Sequence, residues 1–149
     1  MATSTSRLKW GRILVGGLLA WVGSFLLVFL IVTGFALKLG FEARGAPDQA
    51  RIQHFAERIG PTWGPALLAI LTLAAAFWVA RKAVASRSLH GALVGLVAGV
   101  GSLIVALPPS LGTVSAFGVT LLAGWLGGAA AARQSGSTSP SSQTPEDTA

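Results

Sequence analysis

Few side chains in this sequence could carry chemistry, and they cluster in one place. Ala46 to Gly60 reads APDQARIQHFAERIG. On a helix, His54 and Glu57 stand three residues apart and share a face, so two metal ligands could meet there. A zinc site usually takes three or four protein ligands, and only His90 could add another imidazole. Asp48 and Glu57 are too far apart along such a helix to act as a paired acid and base. The face of His54, Glu57 and Arg58 is the one place where an interfacial catalytic group could sit. The chain has no Cys, which excludes disulfides, thiolate metal sites and cysteine nucleophiles. No catalytic, cofactor-binding or metal site is expected, and the histidines read as polar residues at an interface.

A second stretch imitates a ligand site. Gly95 to Gly101, GLVAGVG, has the G-x-x-x-G-x-G spacing of a nucleotide loop and resembles the cofactor loop of short-chain dehydrogenases. No strand precedes it, no acidic residue follows at the ribose-binding distance, and the chain has no Tyr to serve as that family's catalytic residue. The expected role of these glycines is helix packing.

The elements that would position these residues are apolar. The 149-residue chain is 52% hydrophobic and 11% charged, where a soluble domain carries about 25% charge. So little charge cannot cover a surface facing water, and lipid is the expected solvent. Crossing the hydrocarbon core takes about 20 apolar residues in a helix. Four segments qualify: 13–37, 62–80, 89–107 and 111–132. The first follows Arg7, Lys9 and Arg12 and reads as an uncleaved signal anchor. Trp63 and Trp78 mark the ends of the second, as an aromatic belt would.

The connections are equally legible. In 47–59, Ile52, Phe55, Ala56 and Ile59 share one face, which predicts a short amphipathic helix on the membrane surface or the bundle end. Pro47 and Asp48 suit its start, and Gly60–Pro61 should stop it. Arg81, Lys82 and Arg87 lie between spans two and three. Pro108, Pro109 and Ser110 make a tight turn between spans three and four. The tail 133–149 is rich in Ser, Thr, Pro and Gln, and disorder is expected of it.

The net charge of +6 is distributed at span ends, which points to headgroups and topology rather than nucleic acid. Arg7, Lys9, Arg12, Arg81, Lys82, Arg87 and Arg133 fall on one side. Lys38, Arg44, Arg51 and Arg58 fall on the other. Both termini are therefore expected in the cytoplasm of a cell whose inner membrane holds the protein.

Association of lipid-embedded helices depends on close packing of small residues. Gly91, Gly95 and Gly99 recur every fourth residue in span three. Gly112, Ala116, Thr120, Gly124 and Gly128 do so in span four. The two stripes are expected to meet across the Pro108–Pro109 turn, with a second copy of the chain as the rival partner. Gly16, Ala20 and Ser24 make a lesser stripe in span one. The expected fold is all-α: a four-transmembrane-helix antiparallel bundle with the interfacial helix between spans one and two.

The layout, span count and polar tail resemble the uncharacterised small four-span membrane proteins of bacteria. No ionisable residue lies deep in any span, unlike the membrane-buried glutamate of small multidrug transporters. The polar membrane motif of fluoride channels is absent too. These features imply a non-enzymatic integral membrane protein of structural, assembly or accessory role. Its partners would be the lipid bilayer and another membrane protein or a second copy. The alternative is an oligomeric transporter, channel or holin-like subunit.

Overall fold

Four helices account for nearly all of the 10–83, 86–106 and 110–136 segments that the computed structural model describes. They are α1 (Trp10–Ala43), α2 (Gln49–Arg81), α3 (Arg87–Val105) and α4 (Leu111–Gly136). All four are long and apolar enough to cross a membrane. The described residues contain no strand.

The distribution of side-chain size is inverted relative to a protein in water. Most buried positions are small, among them Gly16, Gly17, Ala20, Ala76, Ala80, Gly91, Gly95 and Ala98, with Ile13, Leu39 and Leu68 the large apolar exceptions. Large apolar residues point outward, among them Leu18, Phe25, Phe29 and Leu30 of α1 and Ile70, Leu122 and Trp125 elsewhere. Lipid provides no drive to bury Leu or Phe, so the interior goes to residues that let backbones approach.

The contacts define the order of the helices. Gly16 meets Val79, Gly23 meets Leu71, and Phe35 stacks on Phe55, so numbers rise along α1 as they fall along α2. Likewise Gly91 meets Gly124 and Gly128, whereas Gly99 meets Phe117. α2 and α3 pack against each other and against both outer helices, while the backbones of α1 and α4 do not approach. Ile13, Ala76, Val79 and Val94 form one core cluster, and Ala20, Leu68 and Ala98 a second.

Three boundaries differ from expectation, the first being that α1 continues past Leu37 to Ala43. The separate amphipathic helix at 47–59 does not exist as such, because α2 runs unbroken from Gln49 through Pro61 and Pro65 to Arg81. Proline removes an N–H but holds φ at a helical value. In apolar surroundings a neighbouring hydroxyl can occupy a freed carbonyl region. The carbonyls freed here are those of Glu57 and Pro61, and next to the first Thr62 Oγ1 donates to the Arg58 carbonyl at 3.0 Å. The apolar face of the segment lies on protein instead: the Phe35 and Phe55 rings stack at 3.9 Å, and Leu39 is buried. Asp48 caps the helix by accepting from the Ala50 and Arg51 amides. The connection from α1 to α2 therefore shrinks to Arg44–Asp48. In addition, α4 continues through Arg133 to Gly136, past the expected start of the tail. The remainder of the tail and the Pro108–Pro109 turn lie outside the described residues.

Helix lengths are unequal. α1 has 34 residues and α2 has 33, about 50 Å each at 1.5 Å per residue. α3 has 19, about 28 Å, close to the hydrocarbon thickness. Trp21 of α1 lies against Gly101 of α3, so the α1 residues beyond Val28 run past the end of α3. The paired ends of α1 and α2 thus extend beyond α3 and α4.

Candidate functional site

Close packing ends where the prolines begin. Toward the Arg81 end of α2, glycine doublets seat each outer helix. A Cβ on Gly16 would lie 2.8 Å from Val79 of α2, and one on Gly17 would lie 2.6 Å from Val97 of α3. A Cβ on Gly127 would lie 2.5 Å from the Leu73 carbonyl of α2, and one on Gly128 would lie 2.7 Å from the Arg87 carbonyl of α3. Consecutive helical residues point about 100° apart, so one glycine of each pair faces each central helix.

Toward the Pro61 end the four helices part around a cavity of about 490 Å³. α1 contributes Trp21 and Val28, α2 contributes Pro61 and Pro65, and Ser102 and Ala116 come from α3 and α4. Its hydroxyls are already engaged. Ser24 donates to the Trp21 carbonyl and Ser102 to the Gly99 carbonyl, each at 2.7 Å. Ser110 and Thr113 share a hydrogen bond of 2.9 Å. The cavity is therefore apolar in effect and suits a hydrocarbon ligand.

Above it, on the α1–α2 extension, lies a second recess of about 510 Å³ lined by Phe35, Arg51, His54, Phe55 and Arg58. The stacked phenylalanines stand among the three basic residues, which are exposed. The nearby carboxylates are engaged elsewhere: Asp48 in the helix cap and Glu57 with Gln53 Nε2 at 2.9 Å. His54 thus joins Arg51 and Arg58, and Glu57 is not part of the group. No set of three His, Asp or Glu able to hold a metal occurs among the described residues.

The small-residue stripes divide. Gly91, Gly95, Thr120, Gly124 and Gly128 come together, backbone against backbone: a Cβ on Gly124 would lie 2.6 Å from the Gly91 carbonyl and 2.8 Å from Gly95 Cα. Gly99 faces the Phe117 ring instead. Gly112 and Ala116 leave the seam and line the cavity. A Cβ on Gly112 would meet only the Ser110 hydroxyl, at 3.7 Å. In the seam the Thr120 hydroxyl bonds within its own helix, to the Ala116 carbonyl, and the exposed Ser115 likewise bonds to the Gly112 carbonyl.

His90 is buried at the start of α3, its Nδ1 3.1 Å from the Ser86 carbonyl. It closes the helix end and faces no pocket described above. Ser86 holds the N-cap position in a left-handed conformation and makes no side-chain cap. Sequence reasoning missed Gly127, Arg51 as a site residue, and Thr72, whose buried hydroxyl finds no partner. The doublets Gly16–Gly17 and Gly127–Gly128 were the available signal for two-sided packing. Nothing in the sequence marked Thr72.

No family model, curated protein or solved structure matches this chain.

Proposed function

We propose that this chain is an integral protein of a bacterial inner membrane, an antiparallel four-span bundle with both termini in the cytoplasm. Its role is structural, assembly-related or accessory, not catalytic. The observation that carries the reading is the segregation of residue types: small residues inside, large apolar ones outside, and titratable groups at helix ends. A lipid-facing surface of this kind leaves the outer sides of α1 and α4 available for another membrane protein. Titratable groups within a membrane mark proton and ion paths, and the deep parts of these spans carry none. This favours the accessory role over the oligomeric transporter, channel or holin-like subunit.

The test has two parts. Reporter fusions at Met1 and Ala149 should both read cytoplasmic. The chain purified in mild detergent should hold one other membrane protein at fixed stoichiometry, and liposomes containing the chain alone should pass no solute or ion. Flux above empty vesicles would overturn the accessory reading.

A further inference from the structure

The basic recess and the apolar cavity lie on the same helix faces. On α2, Arg51, Arg58 and Pro65 are spaced by seven, as are His54, Pro61 and Leu68. On α1, Trp21, Val28 and Phe35 are spaced by seven too. Seven residues make nearly two full helical turns, with a drift of about 20°. Arg58 thus stands roughly 10 Å above Pro65 along one stripe, and α1 and α2 contribute lining residues to both pockets.

The height of the basic group is also informative. Phe35 stacks on Phe55, so this part of α1 is level with Arg51–Arg58. Leu37 of α1 is 60% exposed at that level, next to the exposed Lys38–Glu42 pair. Exposed apolar side chains and charged groups therefore mix at this height. Such a boundary lies between acyl chains and headgroups.

We propose that the α1–α2 groove binds one anionic phospholipid, with its phosphate held by Arg51 and Arg58 beside His54 and one acyl chain in the cavity below. Charge complementarity selects the headgroup, since guanidinium pairs with phosphate through charge-assisted hydrogen bonds. The engaged hydroxyls of Ser24 and Ser102 select a hydrocarbon occupant for the cavity. The proposal rests on the membrane-spanning reading above.

The test uses the full chain in dodecyl maltoside, with thermal unfolding followed as lipid is added. Dioleoyl phosphatidylglycerol is compared with dioleoyl phosphatidylcholine and with inorganic phosphate. The anionic lipid should stabilise at concentrations about tenfold lower than the zwitterionic one, and phosphate alone should do little. R51Q/R58Q should abolish that preference, whereas R81Q/K82Q, at the opposite end of α2, should retain it. Gly64→Leu adds a side chain at the cavity wall, where an added Cβ meets nothing within 4 Å. It should weaken the lipid effect about tenfold. Equal stabilisation by both lipids, an unchanged preference in R51Q/R58Q, or full stabilisation by phosphate would overturn the proposal. Carbonate extraction separates the two readings: a chain that stays in the membrane pellet but shows no lipid preference defeats the lipid site alone.

Discussion

At the Arg81 end of the bundle, an added methyl group on Gly91, Gly124, Gly127 or Gly128 would run into backbone atoms of a neighbouring helix. At the Pro61 end, the same addition on Gly60 or Gly64 would meet nothing within 4 Å. Both ends are built from small residues on apolar helices, yet one is sealed and the other encloses a cavity. The difference teaches that a small-residue stripe permits close approach without enforcing it. Between α3 and α4 approach happens where a second small stripe stands opposite, as Gly124 and Gly128 stand opposite Gly91. Opposite Gly112 and Ala116 stand Pro61 and Pro65 across a groove shared with Ser115 and Val119, and the helices stay apart.

Substitutions that break or sharpen this contrast can be ranked by thermal unfolding in detergent. Gly124→Leu should have the largest effect, a loss of about 3 kcal/mol or more, because backbone atoms cannot move aside without separating α3 from α4. Gly127→Leu should come close behind, acting on α2 through the Leu73 carbonyl. Gly16→Leu should cost about 1–3 kcal/mol, since its nearest obstacle is a Val79 methyl rather than backbone. If Gly16→Leu proves as damaging as Gly124→Leu, the distinction between backbone and side-chain obstacles fails. Thr72→Val, between the two ends, should raise stability by about 1 kcal/mol, because it removes a buried hydroxyl without a partner. Gly112→Leu should change stability by less than about 0.5 kcal/mol, as expected of a side chain entering open space. A large loss there would show that the cavity is closed in the detergent-solubilised protein.

How much of this was legible beforehand varies with the kind of signal. The four spans are plain because hydropathy is a local property of the chain. The Gly91–Gly95 stripe is visible because spacing by four repeats on a helix. Its mate was only partly readable: Thr120, Gly124 and Gly128 lie in the seam, while Gly112 and Ala116 share their spacing but not their neighbours. The break expected at Gly60–Pro61 is absent, because local propensity yields where the helix continues onto a partner. Phe35 stacking on Phe55 could not be foreseen from either segment alone. The same holds for Arg51, which reads as one more interfacial charge until Arg58 and the phenylalanines stand beside it.

By itself, then, the sequence determined which segments can live in lipid, where charges collect, and which helix faces are smooth. Each follows from side-chain transfer energies and the helical period, which need no knowledge of neighbours. The tertiary structure alone decided which smooth face meets which, that the first two helices extend together beyond the others, and that a basic recess stands over an apolar cavity. Those depend on contacts between residues distant in the chain, and no local periodicity specifies them.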